Sequence, residues 1–74
     1  MMERREVLVA ARKAKHMNQQ DLADSIGISR AFLANIERGK HYPSLTVARK
    51  IAGVLERGIE ELFFEPNVRK THSA

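Results

Sequence analysis

The segment ISRAFLANIERGK, residues 28–40, carries two polar side chains of the kind that read base edges. Drawn as a helix, it places Arg30 and Asn35 within one arc of about 140°. Arginine can form paired hydrogen bonds with guanine and asparagine with adenine, and each pair discriminates against a wrong base by about 1–3 kcal/mol. Ala31 and Ala34 share this arc, where their small side chains permit close approach and a methyl contact with thymine. An ordinary solvated face would also suit these residues, so the segment alone leaves both interpretations open.

The opposite side of the same helix is apolar. Phe32, Leu33 and Ile36 fall on it, and Glu37 lies at its border. A helix with one apolar face packs that face against a core and leaves the other face to solvent or to a partner. We therefore expect the three apolar side chains to be buried and the polar arc to be presented outward.

The preceding residues predict a second helix that joins this one through a tight turn. Asn18 is a favourable N-cap for a helix over about residues 19–26, and Ser29 for the next over about residues 30–38. The apolar residues of the first of these helices form one stripe: Leu22, Ala23 and Ile26. Gly27 can take the positive φ that a tight turn requires. This is the helix-turn-helix arrangement, in which the second helix is held where it can enter a major groove.

The rest of the chain predicts three further helices and no strand. The first covers about residues 3–15, with His16 at its C-terminal cap; the fourth, capped by Ser44, covers 45–55; the last covers about 59–63. Five residues of the fourth helix share a predicted buried arc: Leu45, Ala48, Ile51, Ala52 and Leu55. The fold class is therefore all-α, a compact five-helix bundle. We expect one domain over residues 1–65 and a polar tail over residues 66–74.

Composition limits the classes of protein to consider. A chain of 74 residues is near the lower size limit for independent folding, and without cysteine it has no disulfide or thiolate metal site. The three histidines are far apart, so no metal or cofactor is expected, and dimerisation remains as added support. Residues 1–50 hold ten Lys or Arg against five Asp or Glu, which favours a polyanionic partner. With no signal peptide or membrane span visible, we expect a cytoplasmic protein.

Four motifs resemble one known family. The stretches NQQDLA, IGIS, IERGKHYPSL and IEELF, in this order and spacing, are similar to the lambda-repressor-like family of Cro and repressor proteins, also called the Xre family. The resemblance runs from about Leu8 to Phe63. It implies a sequence-specific regulator of transcription that binds double-stranded DNA without a cofactor, and therefore associates with the nucleoid.

The resemblance also implies residue roles. Gln19 matches a phosphate-binding glutamine, and the positions of Arg30, Ala31 and Asn35 match those that read base edges. Arg12 and Glu37 match a buried salt bridge between the first and third helices. Three residues depart from the usual pattern: His16, Glu56 and Arg57. The last two leave the route into the fifth helix open, and the fourth helix could continue to Gly58.

Phosphate contacts are expected at both ends of the third helix. The candidate residues are Asn18, Gln19, Ser29, Arg38, Lys40, His41, Tyr42 and Ser44. Asn18, Gln19 and the amides that open the second helix form a helix-terminus anion site, and Ser44 opens another. Lys40 and His41 would fit a solvated loop equally well, and Tyr42 beside Pro43 would fit a cover over the edge of the core.

A dimer interface is expected at the C-terminal end of the domain. Its candidate residues are apolar and outside the predicted buried arc of the fourth helix, or follow it: Val47, Val54, Ile59, Phe63 and Phe64. An exposed apolar patch on so small a chain indicates an interface. The alternative is that Phe64 folds back on its own core.

The sequence favours a DNA-binding regulator that acts as a dimeric repressor, because a bound dimer can occlude a promoter without a further domain. The alternative is a protein-interaction module, such as an antitoxin or co-regulator, with a regulatory protein as its partner. Enzyme activity has least support: Asp21 and Asp24 lie on one side of a helix, but a chain of this size leaves little room for a cleft.

Overall fold

The computed structural model describes residues 4–64 and shows an all-helical fold, as the sequence predicts. The five helices are α1 (Glu6–Ala14), α2 (Gln19–Ile26), α3 (Arg30–Glu37), α4 (Leu45–Leu55) and α5 (Ile59–Phe63). The bounds of α2, α4 and α5 agree with the prediction, whereas α1 begins at Glu6 and α3 ends one residue early, at Glu37. The predicted tail, residues 66–74, and the predicted helix start at Glu3 lie outside the described residues.

One core joins all five helices. Its largest fully buried side chains come from α1 to α4: Leu8, Leu22, Leu33, Ile36, Ile51 and Leu55. α2 packs against α3 and α4, and α5 packs against α4 and α1. The stripe predicted on α2 is buried as expected. This packing fixes α3 from two sides, through α2 and α1, and leaves its remaining surface outside the core.

The predicted buried arc of α4 is wrong at Leu45, because the Leu45 side chain is 59% exposed. The other four residues of that arc are buried. Leu45 is the first residue of α4, and helical side chains lean toward the N-terminus of their helix. Its side chain therefore projects past the end of the core instead of under a neighbouring helix.

Side-chain caps define the starts of three helices. Asn18 Oδ1 accepts a hydrogen bond from the Asp21 amide at 2.7 Å, Ser29 Oγ from the Phe32 amide at 3.0 Å, and Ser44 Oγ from the Val47 amide at 3.2 Å. Each bond satisfies an amide that has no partner within its helix. The three predicted caps are thus confirmed, and they explain why α2, α3 and α4 begin where the sequence places them.

The end of α4 differs from the open alternative of the sequence analysis. Glu56 adopts a left-handed conformation with φ 58°, and the Arg57 amide donates back to the Ala52 carbonyl at 3.1 Å. This geometry terminates a helix, so α4 does not continue to Gly58. The Lys15 ammonium donates to the Glu56 carboxylate at 2.8 Å, and this hydrogen bond, with the attraction between the two charges, lowers the pKa of Glu56. A left-handed Glu56 is therefore held beside the end of α1, where His16 is also left-handed, with φ 60°.

None of the helices within residues 4–64 combines the length and apolar composition needed to cross a bilayer.

Candidate nucleic-acid interface

The turn between α2 and α3 sets the direction of α3. Gly27 has φ 80°, the positive value predicted for it, and its amide donates to the Ala23 carbonyl at 2.9 Å. The amide of Ile28 donates to the same carbonyl at 3.0 Å. Ala23 is fully buried, and its small side chain permits α2 and α3 to cross closely. The two helices and their turn therefore form the predicted helix-turn-helix unit.

The outer face of α3 holds the four candidate base-reading residues. Arg30 and Ala31 are exposed, whereas Ala34 and Asn35 are half-buried. The inner face is fixed by Leu33 and Ile36, which are fully buried as predicted. The beginning of α3 is thus its most accessible part, with Arg30 at the tip.

Phe32 departs from its predicted place in the core. It is half-buried at the edge of the hydrophobic cluster, with its ring centroid 6.0 Å from that of His41. Phe32 therefore links α3 to the residues that follow the helix.

A buried ion pair lies behind α3. Arg12 Nε is 2.7 Å and Arg12 Nη2 is 3.2 Å from the two carboxylate oxygens of Glu37, and Arg12 Nη1 donates to the Met17 carbonyl at 2.9 Å. The two side chains are only 8% and 4% exposed. The pair implied by the family resemblance is thus present, and its two parallel bonds fix the end of α3 against α1.

Gln19 extends this pair toward the surface. Its side-chain nitrogen donates to Glu37 Oε1 at 2.9 Å, and its side-chain oxygen accepts from Arg30 Nη1 at 3.3 Å. A continuous chain of hydrogen bonds therefore runs from Arg12 through Glu37 and Gln19 to Arg30. One hydrogen of the Gln19 amide group remains available, because a primary amide has two donors.

The start of α2 is less suited to an anion than the sequence suggested. The backbone amide of Asn18 donates to Asp21 Oδ2 at 2.9 Å, while Asn18 Oδ1 accepts from the amide of Asp21. The Asp21 carboxylate thereby occupies one of the predicted phosphate donors and adds a negative charge beside it. The spacing N-x-x-D, read as a reciprocal cap, would have revealed this. Ser29 and Ser44 accept bonds from amides, so the hydrogen of each hydroxyl is still free to donate.

Residues 38–44, the α3–α4 loop, carry the other candidate phosphate ligands. Arg38, Lys40, His41 and Tyr42 are all exposed. Gly39 turns the chain with φ 84°, and the Lys40 amide donates to the Asn35 carbonyl at 2.9 Å. The first part of the loop is thereby tied to the end of α3. Tyr42 is 79% exposed, so it does not cover the core in the manner of the alternative interpretation.

Arg5 is a buried residue that the sequence analysis did not single out. It is 7% exposed, and its Nη1 donates to the carbonyls of Ile36 at 2.7 Å and His41 at 3.2 Å. Its partners lie more than thirty positions away and are backbone atoms, so no sequence motif marks the contact. It joins the chain before α1 to the end of α3 and to the loop.

The five residues of the expected dimer interface differ in exposure. Phe63 is 6% exposed and belongs to the core, while Val47, Val54 and Ile59 are partly buried against it. Phe64 is 57% exposed, so it does not fold back on its own core. It lines an apolar groove of about 230 Å³, and the groove residues are Tyr42, Pro43, Leu45, Ala48, Ile59, Phe63 and Phe64.

Comparisons with known proteins agree with this fold. The helix-turn-helix family model matches residues 8–62. The chain is 44% identical over 52 residues to an uncharacterized HTH-type transcriptional regulator of Archaeoglobus fulgidus, covering 69% of this chain and 74% of that one. It is 34% identical over 65 residues to the immunity repressor protein of Bacillus phage phi105, covering 88% of this chain but 45% of the repressor.

A solved structure shows the same likeness. The crystal structure of the restriction-modification controller protein C.AhdI from Aeromonas hydrophila has a TM-score of 0.71 and 34% sequence identity, covering 78% of this chain and 88% of that one. Fold and site thus define a DNA-binding regulator of transcription. The chain belongs to the helix-turn-helix family of Cro/C1 type, which confirms the resemblance seen in the sequence.

Proposed function

We propose that the protein is a sequence-specific repressor that binds a two-fold operator as a dimer, with α3 in the major groove. The carrying observation is the outer face of α3, where Arg30 and Ala31 are exposed at the start, Asn35 is half-buried further along, and the reverse side is fixed by the core. A rigid helix that presents a few polar side chains among small ones suits base reading. The similarity to a phage immunity repressor supports repression, and not activation, as the effect on transcription.

We assign base reading to Arg30 and Asn35, with Ala31 and Ala34 making methyl contacts or permitting close approach. Among residues 4–64 both polar side chains make only long hydrogen bonds: Arg30 to Gln19 at 3.3 Å, and Asn35, as acceptor, from Arg38 at 3.5 Å. Such bonds are near the limit of useful geometry, so exchanging them for base contacts costs little. The two readers are therefore pre-positioned without being locked away from DNA.

We assign phosphate contacts to two groups that flank the readers. On one side are Gln19, through its free amide hydrogen, and Ser29; on the other are Arg38, Lys40, Tyr42 and Ser44, with His41 beside them. Within residues 4–64 Lys40 forms no ion pair, so its charge is available for a phosphate. Asn18 contributes less than the sequence suggested, because its backbone donor is bound to Asp21.

The apolar groove at the start of α4 is the surface we assign to the second copy of the chain. Tyr42, Leu45 and Phe64 are its exposed members, at 79%, 59% and 57%. A dimer through this groove would bury Leu45 and Phe64, contact Tyr42 at the groove edge, and place two copies of α3 in successive major grooves, about 34 Å apart. A different protein seated in the same groove is the alternative, and it would make the chain a co-regulator or an antitoxin-like module. In either case the protein would work in the cytoplasm, on the nucleoid.

Selection of bound sites from random duplex DNA tests the assignment. The wild-type protein should enrich one sequence with two-fold symmetry, and Arg30→Ala and Asn35→Ala should each relax the preference at one base pair in each half-site. Gln20→Ala is the matched control, because Gln20 is exposed on α2 and bonds to Asp24 alone among the described residues. An unchanged preferred sequence in both α3 variants would show that α3 is not the reader.

A further inference from the structure

The second half of the α3–α4 loop has few bonds of its own. Among the described residues, His41, Tyr42 and Pro43 take part in no backbone–backbone hydrogen bond. The polar contact that holds this part of the chain is the bond from Arg5 Nη1 to the His41 carbonyl, at 3.2 Å. The backbone of this part of the loop is thus held by a side chain that lies far away in sequence, before α1.

Arg5 holds the loop by two kinds of contact. Besides the bond to His41, its guanidinium carbon lies 4.7 Å from the centroid of the Tyr42 ring and 5.6 Å from that of Phe63. A flat cation against an aromatic ring is attracted by the ring electrons, and arginine stacks in this way better than lysine. The guanidinium therefore lies close to the buried Phe63 ring as well as to the exposed Tyr42 ring.

Arg5 is also bound to the end of α3. Its Nη1 donates to the Ile36 carbonyl at 2.7 Å, and its backbone amide donates to the Glu37 carbonyl at 2.8 Å. The last carbonyls of a helix lack partners within the helix and carry partial negative charge, so a cation is favourable there. The same nitrogen thus fixes the distance between the end of the recognition helix and His41.

Arg5 differs in exposure from the residues that would contact DNA. It is 7% exposed, whereas Arg38, Lys40 and His41 are exposed. None of the ion pairs found within residues 4–64 includes Arg5, and its side-chain hydrogen-bond partners among these residues are backbone carbonyls. Both of these bonds come from Nη1, so Arg5 acts on the loop through this nitrogen and through its ring contacts.

We infer that Arg5 is a positioning residue for DNA binding, which orders the α3–α4 loop so that Lys40, His41 and Tyr42 meet the backbone phosphates beside α3. The inference rests on the proposed function. Without the guanidinium, the loop would occupy the binding geometry only part of the time, and apparent affinity falls in proportion to that fraction. Because the phosphate contacts are still made once DNA is bound, the number of released counterions would not change.

The test compares Arg5→Gln, Arg5→Lys and Lys40→Gln with the wild-type protein in titrations of the selected operator at several salt concentrations. Arg5→Gln should weaken DNA binding about tenfold, because the loop would then have the binding geometry only about one tenth as often as in the wild-type protein. The salt slope, which is the slope of log affinity against log salt concentration, should not change. Lys40→Gln should instead reduce the salt slope by about 0.9, as expected for one lost phosphate contact. Arg5→Lys keeps the charge but not the planar group over Tyr42, so it should resemble Arg5→Gln.

Val9→Ala is the control for a loss of stability alone, because Val9 is buried on α1 and, among the described residues, forms no hydrogen bond with the loop. Affinities are compared per folded molecule. A second measurement uses no DNA: the NMR order parameters of the His41 and Tyr42 amides should fall from about 0.85 to below about 0.6 in Arg5→Gln and stay high in Val9→Ala.

Three results would overturn the inference: Arg5→Gln binding within twofold of wild type, a salt slope lowered by about one in that variant, or unchanged order parameters. A wild-type affinity recovered by Arg5→Lys would show that charge alone matters. If the wild-type protein binds no duplex, the proposed function fails, while the order parameters still decide whether Arg5 orders the loop.

Discussion

Arg30 Nη1 lies 3.3 Å from Gln19 Oε1, so the first residue of α3 is bonded to the first residue of α2. The nitrogen of the same Gln19 amide donates to Glu37 at 2.9 Å. Because Glu37 is held by Arg12, the orientation of the Gln19 amide is set from the core outward. Gln19 thereby connects the buried ion pair to the most exposed candidate reader.

Gln19→Ala should weaken binding to all sequences and should also cost stability. The bond to the buried Glu37 carboxylate is charge-assisted, and bonds of this kind contribute about 1.5–3 kcal/mol. Glu37 keeps its two bonds to Arg12, so the loss of unfolding free energy should lie near the lower end of that range. Urea denaturation and DNA titration measure the two effects, with Gln20→Ala as the control. Equal stability and equal affinity in the two variants would show that Gln19 has neither role.

Removing one partner of the Arg12–Glu37 pair should destabilise the protein strongly, whereas replacing both partners with apolar residues should not. Arg12→Met or Glu37→Leu alone should reduce the free energy of unfolding by about 3–5 kcal/mol, because each leaves a buried charge without its partner. The double variant should recover most of this loss, since an apolar pair avoids desolvation of both ions. Chemical denaturation of the wild-type protein, the two single variants and the double variant gives the coupling energy between residues 12 and 37. Additive losses in the double variant would contradict the buried-pair description.

Substitution of alanine for glycine should change the stability of the protein in opposite directions at two positions. Gly53 lies inside α4 with open space around it, so Gly53→Ala should stabilise the protein by about 0.5–1 kcal/mol. Gly27 also has open space around it, but its φ is 80°, so Gly27→Ala should destabilise by about 1–2 kcal/mol. Thermal unfolding measures both. A stable Gly27→Ala protein would mean that the turn between α2 and α3 has a different backbone conformation.

The groove should control self-association. Leu45→Glu or Phe64→Glu would place a charge in an apolar interface and should shift the protein toward monomer in sedimentation velocity at micromolar concentration. Val7→Glu is the matched control, because Val7 is 40% exposed but does not line the groove. A wild-type protein that is monomeric throughout this range would end the dimer proposal and favour a different partner for the groove.

Local signals in the sequence predict most of the fold. Asn18, Ser29 and Ser44 are caps whose chemistry acts over three residues, so they mark helix starts without knowledge of the tertiary structure. The apolar stripe of α2 and the inner face of α3 follow from helical period in the same way. The Arg12–Glu37 pair is different: the residues are twenty-five positions apart, and only the family resemblance implied it.

The errors in the prediction have separate physical causes. Helical period alone cannot decide which of two adjacent aromatic residues at the end of a five-residue helix faces the core, and here Phe63, the last helical residue, is buried while Phe64, the C-cap, is exposed. Leu45 fits the buried arc of α4 but lies at its first turn, beyond the neighbouring helices. Arg5 bonds to carbonyl groups, which every residue has, so its partners leave no trace in the sequence.

Tyr42 belongs to two surfaces at once, since it lies against Arg5 in the α3–α4 loop and also lines the apolar groove. A second copy of the chain seated in that groove would restrain Tyr42, which is itself one of the candidate phosphate ligands. Association and DNA binding would then share one ordering step, and the first event would make the second more favourable. Occupancy of the operator would rise more steeply than a single-site isotherm as the protein accumulates. The regulator would thereby respond to its own abundance with a threshold, and an operator affinity unchanged by Leu45→Glu would show that the two surfaces act independently.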